Sequence, residues 1–209
     1  ELRLLLDAVP IAVGTLATLS SRTELFVLKS FCGAVVDEAS QVLEPQLLTL
    51  LSAVRPDGSL AVPKFIMIGD HKQLPAVVAQ PEPQTHVNCL ELRHIGLTDL
   101  RNSLFQRLHA LCLSWRCNKA IGMLSRQGRM HESIAEFVNS AFYEDKLSTV
   151  PLPHQQGALR LETSSKNSWE NFVATTRFGF INVEREANAA NLKINAAEAD
   201  VVARLLKTL

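Results

Sequence analysis

The most constraining feature of this sequence is a pair of short apolar runs separated by a leucine-rich stretch. The runs Gly33–Glu38 (GAVVDE) and Lys64–Asp70 (KFIMIGD) each have the pattern of a buried strand that ends in polar residues. Between them, Glu44–Val54 repeats Leu at helical spacing, with Pro45 suited to a first helical turn and Arg55–Ser59 suited to an exit loop. This order of strand, helix and strand is typical of a parallel sheet with a right-handed crossover. The sequence therefore predicts an α/β fold.

Apolar periodicity and turn residues predict further elements along the chain. The expected helices are Leu97–Leu113, Met130–Tyr143 and Asn195–Leu209, and the expected strands are Ile11–Leu16, Gly157–Thr163 and Phe178–Glu184, with the polar stretch Ser164–Asn171 between the last two. The final helix runs to the last residue without a cap, so we expect the natural chain to continue beyond it.

Charge and length exclude few functions. The chain has 209 residues with 21 basic and 21 acidic side chains, so no global charge attracts nucleic acid or membranes. One segment, Ser103–Met130, contains no Asp or Glu but several basic residues: Arg107, Arg116, Lys119, Arg126 and Arg129. This pattern fits either a local binding patch or a solvated helix face, and the sequence leaves both interpretations open.

The cysteines and the hydropathy pattern indicate an intracellular protein. The four cysteines are scattered without the two-residue spacing of zinc or redox motifs, so we expect reduced thiols that lie mostly in the core. No apolar run approaches the roughly 20 residues needed to cross a bilayer, and the first residues do not form a secretory signal. The expected location is cytoplasmic, or nuclear in a eukaryote, with no membrane partner.

Carboxylates follow both strands of the predicted parallel pair. In open parallel sheets, ligands bind beyond the carboxyl ends of the strands, where Asp37, Glu38 and Asp70 stand. Adjacent carboxylates there suit metal-assisted phosphoryl transfer, in which one holds hydrated magnesium and the other orients the attacking water. Gln73, in the turn Gly69–Pro75, is a neutral donor able to sense a terminal phosphate. The alternatives are two acids that start a helix and an ordinary polar turn.

Several segments together resemble the conserved motifs of superfamily 1 helicases. Val35–Gln41 (VVDEASQ) resembles motif II, and Ile68–Pro75 (IGDHKQLP) resembles motif III, in the branch of the nonsense-mediated decay RNA helicases and the replication helicase-nuclease. Ser103–Leu108 (SLFQRL) is similar to the stretch that follows motif III. Gln127–Leu147 is similar to the motif IV region, and Ile194–Val202 (INAAEADVV) to the segment before the last motifs.

The resemblance implies a P-loop NTPase of the RecA-like kind, with parallel sheets and flanking helices, in incomplete form. Residues 1–112 would be the C-terminal part of a first lobe, and residues 113–209 the hinge and the start of a second lobe. The implied cofactors are ATP and magnesium, and the implied partner is single-stranded DNA or RNA.

The resemblance also implies roles for individual residues. Asp37 would hold magnesium through water, Glu38 would be the catalytic carboxylate, Gln73 would sense the γ-phosphate, and Asp70 would support the coupling element. In the second lobe, Arg129 would act as an internal arginine finger.

Four further residues receive weaker assignments from the same resemblance. Gln127 would lie near the nucleotide, and Glu198 would bind its ribose. Thr15 and Thr18 would grip the nucleic-acid backbone. Two alternatives stay open, because Arg129 without its neighbours fits a plain surface residue and Glu198 could belong to the solvated face of a helix.

The sequence also departs from the family pattern. Gly128 and Glu132 replace the usual aromatic and proline of the motif IV region, Ala76 stands where a second proline is common, and none of the nine glycines precedes a lysine as a phosphate-binding loop requires. We therefore expect an internal piece of a helicase that is inactive by itself. The alternatives are a degenerate, non-catalytic binding module and a metal-dependent hydrolase using Asp37, Glu38, Asp70 and His71.

Overall fold

The computed structural model describes residues 2–157, 168–184 and 194–208. The chain divides into two compact units, Glu1–Gly122 and Met123–Leu209. The two units are defined by how compact they are, so the predicted lobes at residues 1–112 and 113–209 stay a prediction.

The helices are α1 Leu2–Ala8, α2 Leu16–Ser21, α3 Glu24–Leu28, α4 Glu44–Leu51, α5 Glu82–Thr85, α6 Leu90–His94, α7 Leu104–Ser114, α8 Glu132–Phe142, α9 Pro153–Gln156, α10 Ser168–Thr175 and α11 Ala196–Thr208. The strands are β1 Ala34–Val36, β2 Phe65–Met67, β3 Arg126–Gln127 and β4 Ser148–Thr149.

The predicted strand, helix and strand unit is confirmed in the first compact unit. Strands β1 and β2 pair in parallel, with Val35 opposite Ile66. Between them, α4 has Pro45 in its first turn, where a missing backbone N–H costs nothing. The helix buries Leu47 and Leu50, the apolar positions that helical spacing places on one face.

The core of the first unit lies on one face of the two strands. Val36 is 7% exposed, whereas its neighbour Val35 is 65% exposed, because alternate side chains of a strand point to opposite faces. The buried core consists of Phe26, Val36, Ala39, Leu47, Leu50, Ala61, Val62 and Leu104. Since Ala39 directly follows the two strand-end carboxylates, the core holds the backbone just beyond them.

The helix predicted at Leu97–Leu113 is shorter than expected, because α7 begins only at Leu104. The Ser103 side chain caps it by accepting a hydrogen bond from the backbone N–H of Gln106. The preceding residues instead form a turn in which Asp99 bridges to His86. Helical periodicity missed this start because the turn carries apolar residues, Leu97 and Leu100, at helical spacing.

The second unit repeats the parallel arrangement on a smaller scale. Strands β3 and β4 are parallel, and α8 lies between them in sequence. The helices predicted at Met130–Tyr143 and Asn195–Leu209 are confirmed as α8 and α11, apart from residue 209, which lies outside the described residues. All four cysteines are free thiols, but the expected core location is wrong, because three of them are exposed and Cys112 is half-buried.

Two predicted strands are wrong, and one lies outside the described residues. Ile11–Leu16 is irregular up to Thr15, and Leu16 already belongs to α2. Phe178–Glu184 forms no strand, and the Phe178 ring instead stacks on Phe137 at 5.3 Å between centroids. Apolar alternation specifies a strand only where a neighbour satisfies its backbone, and neither segment has such a partner in the described parts of the chain. Of Gly157–Thr163, only Gly157 is described.

The predicted connection Ser164–Asn171 is helical from Ser168 onward, as the start of α10. Across the described ranges, no helix has the length and apolar character required to cross a membrane.

Candidate functional site

Asp37 and Glu38 lie in an exposed turn directly after β1. Glu38 adopts a left-handed conformation, with φ 50° and ψ 35°, which costs a residue with a side chain about 1–2 kcal/mol. Asp37 Oδ1 accepts a hydrogen bond from the Glu38 backbone N–H at 3.0 Å, and Gln41 Nε2 donates to Glu38 Oε2 at 3.3 Å. The turn leads into a single 3-10 turn, Ala39–Gln41, so the two acids do not open an α-helix. Strained residues of this kind cluster at functional sites.

The turn after β1 is locked to the turn after β2. The Ala39 backbone N–H donates to the Ile68 carbonyl at 2.8 Å, and Ser40 Oγ accepts from the Asp70 backbone N–H at 3.0 Å. Ser40 is only 6% exposed. A Cβ atom on Gly69 would lie 2.7 Å from the Ser40 backbone nitrogen, which is closer than such atoms approach. Glycine at this position therefore allows the two site-bearing turns to touch.

Within the second turn, Asp70 organises the residues that follow it. Its Oδ1 accepts from the Lys72 backbone N–H at 3.0 Å, and its Oδ2 accepts from Gln73 Nε2 at 3.0 Å. Asp70 is half-buried, whereas Gln73 is exposed. The carboxylate thus orients an amide that faces solvent and is able to meet a ligand.

His71 extends this turn onto α7. Its ring centroid lies 4.7 Å from that of His109 and 6.5 Å from that of Phe105. Burial lowers the pKa of His71 below its usual value, with further lowering from His109 and Lys72 and an opposing effect from Asp70. The neutral ring is therefore favoured at this contact.

In the second unit, Gln127 shapes the loop that carries Arg129. Gln127 Oε1 accepts from the backbone N–H groups of Arg129 and Met130, at 3.0 and 2.8 Å. Gln155, which is fully buried, donates to the carbonyls of Gln127 and Met130. The Arg129 guanidinium is exposed and makes no hydrogen bond or ion pair with any described residue. The loop backbone is held by these hydrogen bonds, and the Arg129 side chain is exposed.

The remaining predicted residues have local structural roles. Thr15 caps α2 by accepting from the Thr18 backbone N–H at 3.2 Å, and both threonines are exposed. Glu198 is exposed in the first turn of α11, where its backbone N–H donates to Asn195 Oδ1. These contacts leave the predicted roles of the three residues untested.

The predicted residues fall into two groups. Asp37, Glu38, Asp70 and Gln73 lie in the first unit and are joined by the hydrogen bonds above, whereas Gln127, Arg129 and Glu198 lie in the second unit.

Sequence reasoning missed two residues that contact the candidate site. Ser40 stands inside the motif II segment, so its position could have drawn attention to it. His109 carries no such signal, because its contact with His71 joins residues far apart in the chain.

The Asp37 carboxylate fits a magnesium ion. No three or more histidine, cysteine or acidic side chains converge on one point within the described ranges. Magnesium does not require such a cluster, because it usually keeps several waters and binds one or two carboxylates together with substrate phosphates. An exposed carboxylate at the end of a parallel strand has the required chemistry.

The chain is similar in sequence to known proteins. Two AAA-domain family models match the chain, one over residues 100–209 and the other over residues 2–81. DNA replication ATP-dependent helicase/nuclease JHS1 of Arabidopsis thaliana is 29% identical over 98% of this chain and 14% of its own length. An ATP-dependent helicase of Methanocaldococcus jannaschii is 29% identical over 84% of this chain and 23% of its own length.

A third relative is linked by its name to RNA. The 3'-5' exoribonuclease HELZ2 of Homo sapiens is 36% identical over 55% of this chain and 3% of its own length. The chain thus spans less than a quarter of the length of each of these three relatives.

Proposed function

Because the chain belongs to the superfamily 1 DNA/RNA helicases, we propose that the full-length protein couples magnesium-dependent ATP hydrolysis to movement along single-stranded DNA or RNA. One observation carries the proposal. The left-handed turn at Glu38 is locked, through Ser40 and Gly69, to the turn that presents Gln73. A carboxylate and a phosphate-sensing amide on two touching turns are what coupled hydrolysis needs.

Each residue of these turns has a defined part in the proposal. Asp37 would hold magnesium through water, and the ion would neutralise charge on the phosphate oxygens. Glu38 orients the attacking water and accepts its proton. Gln73, oriented by Asp70, contacts the γ-phosphate and changes partner when that phosphate leaves.

The proposal also gives roles to three residues of the second unit. Arg129 supplies positive charge to the transition state, and its lack of a partner among the described residues supports this role. Gln127 keeps the Arg129 loop in place near the nucleotide, and Glu198 contacts the ribose.

The test of hydrolysis is Glu38→Gln in the full-length protein. Loss of the catalytic base lowers kcat about 10²- to 10⁴-fold, while ATP still binds. The matched control is Glu24→Gln, which neutralises another exposed acid of the first unit. Normal turnover by Glu38→Gln would refute the role given to this carboxylate.

The nucleic-acid partner is proposed as a single strand gripped in part by Thr15 and Thr18. The name of one relative refers to DNA and that of another to RNA, so an experiment must distinguish the two. ATPase stimulation by matched single-stranded DNA and RNA oligonucleotides distinguishes the two. Thr15→Ala combined with Thr18→Ala is expected to raise the concentration required for half-maximal stimulation. Unchanged stimulation would remove both residues from the interface.

A non-catalytic binding module is the second candidate. Gly128 and Glu132 depart from the family pattern, and none of the nine glycines precedes a lysine. Residues 1–209 alone are expected to show negligible ATPase activity, because the phosphate-binding lysine is missing. Robust magnesium-dependent hydrolysis by this chain would contradict that expectation. A full-length protein that binds nucleic acid but never hydrolyses ATP would favour the binding module.

A further inference from the structure

The loop Asp70–Gln73 contacts two residues, Ser40 and His109, to which the proposed mechanism gives no chemical step. Ser40 Oγ accepts from the Asp70 backbone N–H at 3.0 Å. The His71 ring lies 4.7 Å from the His109 ring of α7. The two contacts are thus made by Asp70, which orients Gln73, and by the residue that follows it.

The Ser40 contact ties this loop to the Glu38 turn. Ser40 stands two positions after Glu38, and it is almost fully buried, at 6% exposure. Gly69 also approaches the Ser40 backbone closely, so the two turns are in direct contact. Removing the Ser40 hydroxyl therefore abolishes a hydrogen bond that joins the two turns.

The His109 contact ties the same loop to a well-anchored helix. Arg107 stands two residues before His109 on α7 and forms a nearly buried ion pair with Glu44 of α4. The Arg107 Nη1 atom also donates to the Ile95 carbonyl at 2.8 Å. These contacts anchor α7, the helix that carries the His109 ring against which His71 packs.

We propose that Ser40 and His109 are positioning residues that hold Gln73 at a fixed place relative to Glu38, an inference that rests on the proposed function. Neither residue needs to touch ATP. Ser40 fixes the start of the loop at Asp70, and His109 fixes the next residue, so the Gln73 amide keeps its orientation. The Gln73 amide then contacts the γ-phosphate while its position relative to the Glu38 carboxylate stays the same.

The kinetic test uses Ser40→Ala and His109→Ala in the full-length protein. Each is expected to lower kcat for ATP hydrolysis about 5- to 20-fold, with less than about a twofold change in KM, because misplacement affects the transition state more than binding. His109→Phe retains a ring and is expected to restore most of the rate. The matched control is Gln106→Ala, an exposed change on the same helix.

The second measurement is amide hydrogen exchange, which does not depend on activity. Exchange in the peptide that covers residues 68–75 is expected to be faster in Ser40→Ala and His109→Ala, and unchanged in Gln106→Ala. Unchanged exchange in both variants would overturn the inference, whatever the activity of the protein.

The outcomes separate the inference from the proposed function. If Glu38→Gln is inactive while Ser40→Ala and His109→Ala keep the normal kcat, the inference is wrong and the proposed function stands. If kcat falls only in proportion to a lower Tm, or if His109→Phe does not restore the rate, positioning is also wrong. If the wild-type protein hydrolyses no ATP, the proposed function fails, and hydrogen exchange alone decides whether the two anchors hold the loop.

Discussion

At the scale of single residues, the candidate site depends on unusual backbone geometry. Glu38 adopts a left-handed conformation, with φ 50°, which glycine adopts more easily than other residues. Gly69, in contrast, is required by space, since a Cβ there would meet the Ser40 backbone. Glu38 thus has a side chain despite the cost of its backbone conformation, at a position where a catalytic role is proposed. Gly69 lacks a side chain at the position where the two turns are in contact.

Gly69→Ala tests this close approach. The added methyl group forces the two turns apart, so we expect the free energy of unfolding to fall by about 1–3 kcal/mol. Gly122→Ala is the matched control, because a Cβ at Gly122 meets nothing within 4 Å. Urea denaturation measures both variants. Equal stability of Gly69→Ala and wild type would show that the turns separate without cost.

At the scale of elements, α7 connects the core, α4 and the loop after β2. Its first turn is capped by Ser103, and Arg107 pairs with Glu44 while both side chains are nearly buried, at 11% and 12% exposure. A pair of this kind is costly to break, because the remaining charge stays buried without its partner. The ion pair thus fixes the helix that carries His109.

Arg107→Met is expected to lower the free energy of unfolding by about 3–5 kcal/mol, because it leaves the Glu44 carboxylate buried and unpaired. The control is Lys146→Met, which breaks the exposed pair between Lys146 and Glu144 and should change stability by less than about 1 kcal/mol. Denaturant unfolding gives both values. If both variants lower the free energy of unfolding by a similar small amount, water replaces Arg107 as the partner of the Glu44 carboxylate.

The packing of His71 on α7 predicts a dependence of stability on pH. The folded pKa of His71 lies below the usual 6.5, mainly because of burial, so the unfolded chain binds its proton more readily. The contribution to stability is complete above pH 6.5 and is lost as pH falls through the folded pKa. The neighbouring groups are His109, Lys72 and Asp70, and only Asp70 opposes the lowering.

His71→Gln removes this titration, so its stability should fall less than that of wild type between about pH 7.5 and pH 5.5. Unfolding free energies at the two pH values measure the difference. Identical pH dependence in the two proteins would assign the effect to other groups.

At the scale of the whole molecule, the chain forms two compact units that meet in sequence between Gly122 and Met123. Residues 121–125 belong to no helix or strand, and most of them are exposed. Such segments are preferred sites of proteolytic cleavage.

Limited digestion with trypsin tests this boundary. Lys119 and Arg126 flank the segment and are both exposed, so early cuts are expected there rather than after Arg107 within α7. Mass spectrometry of the first fragments identifies the cleaved bonds. Early cleavage after Arg107, which is held by its ion pair, would contradict the assignment of a folded first unit.

Local sequence patterns predicted much of the fold and placed four site residues on neighbouring turns. The runs at Gly33–Glu38 and Lys64–Asp70 became β1 and β2 because each contains apolar residues that the core buries. The pattern failed at Ile11–Leu16 and Phe178–Glu184, since a strand also needs a backbone partner that local sequence does not specify.

The sequence by itself determined which chemical groups the protein carries and the order of its motifs, because strand ends and turns are encoded by nearby residues. Only the tertiary structure decided that Ser40 accepts from Asp70 and that His71 packs on His109. It also decided that Glu38 takes a left-handed conformation. The Ser40 and His71 contacts join residues distant in the chain, and no local periodicity contains that information.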